Sequence, residues 1–190
     1  EELHEAKQRL NTMPLWIEEQ SGMTISDLRV KFDRMVDTAE RAGKKIDLLI
    51  VDYLQLVLAS SRYSGNRNNE VSEISSSLRQ MARENNVGLV ALSQLNRGIE
   101  SRPIHERRPR LADLRDSGSL EQDADTVVFL FREAYYLASE KGKDEEAEAE
   151  RIDRLFEVEN KLEFVIAKQR NGEVKNIDLF VDIGSSAVWD

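Results

Sequence analysis

Cysteine is absent from the 190 residues, which excludes disulfides, thiolate metal sites and cysteine nucleophiles together. A reducing cytoplasm fits that absence. Histidine occurs only as His4 and His105, too few for a histidine-rich metal centre. No apolar run approaches the roughly 18 residues that a membrane-spanning helix requires, so no membrane span is expected. An initiator methionine and a signal-like apolar segment are also lacking. The chain opens Glu1-Glu2-Leu3-His4 and reads as the middle of a longer protein. Its length suits one sizeable core rather than two.

Hydrophobic residues make up 40% and charged residues 33%, with a net charge of −9. The sign argues against nucleic acid until its distribution is considered. Residues 140–159 hold nine acids and four bases, which accounts for −5 of the total. This stretch reads as an exposed helical or mobile insertion (139–160 with its flanks) with a solvated face. Between residues 97 and 115, by contrast, lie Arg97, Arg102, Arg107, Arg108, Arg110 and Arg115, against Glu100, Glu106 and Asp113. A cationic island sits inside an acidic chain.

No internal repeats are found. Residues 3–10 look helical until Pro14, and a short strand is expected near residues 15–17. Thr24 and Asp27 have the spacing of a capping box, with Asp in place of Glu or Gln. Ile25, Leu28, Phe32, Met35, Val36 and Ala39 follow at helical spacing, and Gly43 is placed to stop that helix. The continuous apolar run Leu48–Val51 predicts a strand buried on both faces of a parallel sheet. A polar loop over residues 59–69 comes next. Val71, Ile74, Leu78, Met81 and Ala82 then mark an amphipathic helix, and residues 87–92 a second buried strand. Strand, helix and strand in this order call for a crossover unit and a mostly parallel sheet. A long loop with Pro103 and Pro109 leads to a third strand at Thr126–Phe131. Residues 162–167 and 177–181 flank Asn171-Gly172, a strong hairpin signal. The fold class is α/β.

Several positions could carry chemistry. Asp52 follows the first strand, at the C-terminal edge where open α/β sheets bind ligands. A hydrophobic strand ending in Asp is also the Walker B element that helps hold Mg²⁺; the plainer alternative is an Asp capping the next turn. Gln94 lies just past the second strand and could bond a γ-phosphate or an attacking water, or be a solvent-facing amide. Arg115-Asp116-Ser117-Gly118-Ser119 offers backbone N–H groups and a cation to a nucleic-acid backbone, or is a surface loop with internally paired arginines. Lys168 and Arg170, two apart, leave one face near a hairpin tip. They could serve as cations acting in trans on a nucleotide or form an ordinary basic tip. The phosphate-cradling pattern G-x-x-x-x-G-K-[ST] is absent: Lys45 follows Gly43-Lys44, and position 38 is not Gly. This chain alone is not expected to hydrolyse ATP.

Four motifs in order resemble one family. Ile46-Asp47-Leu48-Leu49-Ile50-Val51-Asp52-Tyr53-Leu54-Gln55-Leu56 resembles the Walker B segment of DnaB-type replicative DNA helicases. Val90-Ala91-Leu92-Ser93-Gln94-Leu95-Asn96-Arg97 is similar to the segment containing that family's phosphate-sensing glutamine. Arg108-Pro109, followed by Asp113-Leu114-Arg115-Asp116-Ser117-Gly118-Ser119-Leu120-Glu121-Gln122-Asp123-Ala124-Asp125, resembles the loop that grips single-stranded DNA. Lys168-Gln169-Arg170-Asn171-Gly172 resembles the arginine-finger hairpin. The likeness covers nearly the whole chain, departing mainly at the acidic insertion and the last few residues.

The resemblance implies the C-terminal portion of one RecA-like P-loop ATPase core, truncated on its N-terminal side and spanning residues 1–190. It assigns Asp52 to water-mediated binding of Mg²⁺ and Gln94 to sensing the γ-phosphate of ATP. Lys168 and Arg170 would complete a neighbouring subunit's site, while Arg115, Asp116 and Gly118 would meet the DNA backbone. The family usually has Glu where Asp116 stands, so the acid is kept with a shorter reach. Its catalytic glutamate and phosphate loop lie upstream and are missing here. Implied partners are single-stranded DNA, identical subunits in a hexamer, a primase and a helicase loader, at a replisome in the bacterial cytoplasm and nucleoid. A RadA-type recombination or repair ATPase, and a non-catalytic DNA-binding or ring-joining module, are the alternatives.

Overall fold

The structure, a computed structural model, describes residues 2–63 and 65–190; the side chains of residues 2, 11, 63 and 115–118 lie outside the description. Helix α1 (Glu2–Thr12) ends before Pro14 as expected. The strand expected near residues 15–17 does not form. Leu15, Trp16 and Ile17 are exposed and no described strand pairs with them; the Leu15 N–H donates instead to the Met13 carbonyl at 2.8 Å, within its own turn.

Helix α2 (Ile25–Arg41) starts and stops where local chemistry dictates. The Thr24 hydroxyl oxygen accepts the Asp27 N–H at 3.1 Å and donates to the Asp27 carboxylate at 2.7 Å. At the far end Gly43 has φ +66°. The Gly43 N–H reaches the Glu40 carbonyl and the Lys44 N–H reaches the Ala39 carbonyl, each at 2.9 Å. These are the paired bonds of a Schellman stop, with glycine supplying the left-handed residue.

Strands β1 (Leu48–Val51) and β2 (Gly88–Ala91) pair in parallel, Leu48 opposite Gly88 and Val51 opposite Ala91. Helix α3 (Arg67–Glu84) links them and buries Val71, Ile74, Ser75, Leu78, Met81 and Ala82, the face that its periodicity predicts. Ile74, Leu78 and Met81 meet Ile25, Phe32, Val51, Leu54 and Val57 in the main core. The expected burial of both strand faces is overturned. Leu48, Ile50, Val90 and Leu92 remain 51%, 57%, 48% and 43% exposed. Strand alternation puts them on the one face opposite the core, and that face is open.

The loop with Pro103 and Pro109 is wound into short 3₁₀ turns at Arg97–Ser101, Ile104–Glu106 and Leu111–Ser117. The last runs into α4 (Gly118–Asp123). Strands β3 (Thr126–Phe131), β4 (Lys161–Gln169), β5 (Lys175–Asp182) and β6 (Ala187–Trp189) then form an antiparallel sheet in that order. The α/β class holds, with a two-stranded parallel sheet and a larger antiparallel one built around the expected hairpin. That hairpin is wider than Asn171-Gly172 alone suggests, because the last β4–β5 pair is Ile166 with Lys175. Beyond it β4 stays paired with β3. The register slips once there: Val128 faces Ile166 but Val127 faces Lys168.

Helices α5 (Glu133–Ser139) and α6 (Glu145–Val158) occupy the acidic stretch and its approach. The stretch is helical and largely exposed, one of the two forms expected, and α6 is docked along one side. Leu155 and Val158 pack with Ala134, Leu137 and Ile104, and Arg151 donates to the Leu137 carbonyl at 2.7 Å. Asp144 caps the helix by accepting the Ala147 N–H at 2.9 Å. Gly142 fits under the first turn, where its N–H reaches the Glu148 carboxylate at 2.6 Å. Any Cβ at that position would strike the Glu148 backbone.

Candidate functional site

The parallel pair continues past its strands and brings two expected residues together. The Leu92 N–H donates to the Val51 carbonyl and the Leu54 N–H to the Leu92 carbonyl, both at 2.9 Å. Asp52 and Gln94 therefore emerge at neighbouring C-terminal edges. The peptide between Asp52 and Tyr53 is cis. Both side chains are exposed and make no hydrogen bond among the described residues. The capping role weighed for Asp52 is not seen, since the turn at Leu54–Leu56 has no side-chain cap.

Gln55 holds this edge, a residue to which sequence reasoning gave no role. Its Nε2 donates to Ser93 Oγ at 3.1 Å and to the Gln94 carbonyl at 3.2 Å, while its Oε1 accepts the Gln94 N–H at 3.3 Å. One amide thus bonds the Gln94 backbone in both directions, as a neighbouring strand would. Its signal was an amide three residues past Asp52, but only the fold reveals what the amide faces.

Lys168 and Arg170 share one side, as period two requires, and both turn toward the end of α4. Lys168 Nζ donates to the Glu121 carbonyl. Arg170 donates to the Gln122 carbonyl at 3.0 Å and pairs with Asp125 at 2.7 Å, while its own N–H meets the Asp125 carbonyl at 2.9 Å. These contacts complement the partial negative charge of a helix C-terminus. Asp123 at the same place accepts the Ser75 hydroxyl at 2.7 Å and lies 3.7 Å from Arg79, tying α4 to α3.

Among the described residues, three of the six arginines of the cationic island are paired within the chain. Arg102 forms a two-pronged pair with buried Asp113, which also accepts the Arg110 N–H at 2.8 Å. The bonds from Arg102 and, less strongly, from Arg110 hold the Asp113 carboxyl below the usual range, although burial pushes it the other way. Arg107 pairs with Glu140 at 2.6 Å and lies over the Tyr136 ring. Arg108 pairs with buried Glu163 at 2.7 Å and lies over Phe131. The expected DNA-contacting side chains, Arg115 and Asp116, and the environment of Gly118 lie outside the described residues. Their backbone runs from the 3₁₀ turn into the first turn of α4.

No group of three or more potential metal ligands occurs among the described residues. A single free carboxylate at Asp52 still fits Mg²⁺, which keeps several waters and takes one or two carboxylates together with substrate phosphates. No described helix is long and apolar enough to cross a membrane.

A family model described as the DnaB-like helicase C terminal domain matches residues 1–185. The chain belongs to the DnaB-like helicase family. It is 42% identical over 178 residues to a replicative DNA helicase DnaB of Rickettsia bellii, covering 91% of this chain and 34% of that protein. To the replicative DNA helicase DnaC of Bacillus subtilis it is 40% identical over 170 residues, covering 90% and 32%. The chain thus spans about a third of the length of these curated relatives. Among solved structures, one described as an ATPase domain superposes with a TM-score of 0.78 at 32% identity, over 99% of this chain and 58% of the other. A DnaB-like replicative helicase described with its interactions with primase gives 0.74 at 34% identity, over 95% and 39%. The core is therefore RecA-like, and DnaB-family membership favours the helicase over the RadA-type alternative.

Proposed function

We propose that this chain is part of the motor of an ATP-dependent DNA helicase that unwinds duplex at the replication fork, in a homo-hexameric ring moving on single-stranded DNA. The observation that carries this reading is that Asp52 and Gln94 lie at adjacent ends of two parallel strands, with the Gln94 backbone held by Gln55, in a DnaB-family chain. That edge is where open α/β sheets receive ligands.

In this reading Asp52 would hold Mg²⁺ through water and Gln94 would bond the γ-phosphate or the water attacking it. Bound Mg²⁺–ATP supplies the phosphoanhydride bond whose hydrolysis drives movement. Lys168 and Arg170 would stabilise charge at the nucleotide of the adjacent subunit, which requires a ring or a filament. Arg115, Asp116 and Gly118 would meet the DNA backbone without reading sequence, with Asp116 offering its N–H rather than its charge. A primase and a helicase loader are the proposed protein partners, and the bacterial cytoplasm, at the nucleoid, the proposed location. The reading requires a phosphate loop and a catalytic glutamate elsewhere in the intact protein; the 190-residue chain alone is expected to be inactive.

The decisive experiment uses the intact protein. Arg170→Ala is expected to abolish ATP hydrolysis, by at least about 10³-fold as for trans-acting arginines, while leaving nucleotide affinity within a few-fold. Loss of binding together with hydrolysis would remove Arg170 from a trans role.

A further inference from the structure

We propose that the outer face of α6, with the groove between α5 and α6, docks a partner protein through a helix whose apolar stripe is flanked by lysine or arginine. The proposal is independent of the motor reading.

A docked surface helix requires one apolar face, and α6 has two. Leu155 and Val158 turn toward α5. On a different side, Ala149, Ile152 and Phe156 follow at spacings of three and four, and Ile152 and Phe156 are 50% and 83% exposed. Spacing places Leu155 beside Ile152, and Leu155 lines an open groove of about 400 Å³ with Ala134, Tyr135 and Ala138 of α5. Tyr135 is itself 65% exposed. Arg132 and Glu159 close one side of the groove, where Arg132 donates to the Glu159 carbonyl at 2.9 Å. Groove and stripe together form a continuous apolar track, in the pattern by which grooves receive amphipathic helices.

Charge identifies the occupant. The next stripe round the helix is Glu146, Glu150, Asp153 and Glu157, again at spacings of three and four. Arg154 answers Glu157 at 2.9 Å and Glu133 at 2.7 Å. Glu146, Glu150 and Asp153 form no ion pair among the described residues. An apolar track with an acidic border repels nucleic acid, anionic membranes and a second copy of the same face. A helix with cationic flanks satisfies the border and the track at once.

The test measures binding to the intact protein by fluorescence anisotropy. One probe is a synthetic helix with leucines at a spacing of three and four flanked by lysines; the other carries glutamates in place of the lysines. The lysine helix is expected to bind at least about tenfold more tightly. Phe156→Ser is expected to weaken it about tenfold, as loss of one buried aromatic contact implies. Replacing Glu150 and Asp153 together by lysine should reverse the preference between the probes. All three side chains face solvent, so melting midpoints should match the wild type. Equal affinity for the two probes would overturn the proposal, as would binding indifferent to Phe156→Ser. A lower midpoint for Phe156→Ser would show the face already packed within the intact protein. A smaller assembly in sedimentation would assign it to a second copy, and either of these results also overturns the proposal.

Discussion

Gln55 shows how a single amide can fix the edge of a parallel strand pair. Two hydrogen bonds to the Gln94 backbone contribute about 1 kcal/mol each, enough to set where the Gln94 side chain stands. In the intact protein, Gln55→Ala is expected to lower kcat for ATP hydrolysis about tenfold, the equivalent of about 1.4 kcal/mol, with little change in KM. Gln55→Glu, which lacks the donor and faces the Gln94 carbonyl with a charge, should be no better. Steady-state kinetics checks this; a fall in melting midpoint with unchanged kcat would leave Gln55 a purely structural role. Asp113 illustrates the opposite use of a polar side chain. Its carboxyl is held below the usual range by Arg102, so its stabilisation is fully present above that range and is lost as pH falls through the lowered value. Asp113→Asn should cost about 2 kcal/mol at neutral pH and progressively less in acid, as urea melts at pH 7 and pH 3 would measure. Asp52 and Gln94 were legible because each follows an apolar run, and a strand end is a place in the fold. The pairing of Arg102 with Asp113 lay within reach of the same loop, but Gln55 and the partners of Arg107 and Arg108 were not legible, because Gln94, Glu140 and Glu163 come near only once the chain has folded.

Among the elements, α2, α3 and β3 follow directly from residue periodicity and capping. The failures have equally local causes. Residues 15–17 have strand-like composition but no partner among the described strands. The tip of β4 is claimed by β3 beyond the reach of β5, which opens the turn around Asn171-Gly172. Helix α6 hid its docking because its many acids dilute the apolar residues that face α5. An ion pair supports that docking: the Arg151 guanidinium, with help from the Gly142 N–H, brings the Glu148 carboxyl down from 4.5 to about 2. The contribution is therefore complete above pH 4.5 and fades as pH falls toward 2. Amide exchange in α5 and α6 should accelerate over that window. Glu148→Gln should remove most of this pH dependence while leaving the exchange of α3 unchanged.

At the scale of the molecule, the open face of the parallel pair is the main departure from a finished α/β core. Strands that read from sequence as buried on both sides expose Leu48, Ile50, Val90 and Leu92 here, in a chain about a third the length of the relatives it matches. The apolar runs give both strands a second face fit for burial, and nothing in the runs themselves says whether this stretch of chain covers it. The isolated chain is expected to bind an apolar-surface dye strongly and the intact protein weakly. Ile50→Asp should destabilise the intact protein by about 3 kcal/mol, as an unpaired charge in a covered site does, yet leave the isolated chain nearly unaffected. Similar losses in both would mean that the face is covered in neither.

The grip of Lys168 and Arg170 on the end of α4 has a thermodynamic corollary. If these cations serve a neighbour's nucleotide, they cannot hold the Glu121 and Gln122 carbonyls at the same moment, so the two engagements compete. Competition of this kind is reciprocal. Whatever factor a DNA strand gains from a loosened α4, the neighbour's nucleotide must gain from the presence of that strand. Fuel and track would then be linked through two side chains, without any larger movement to carry the message.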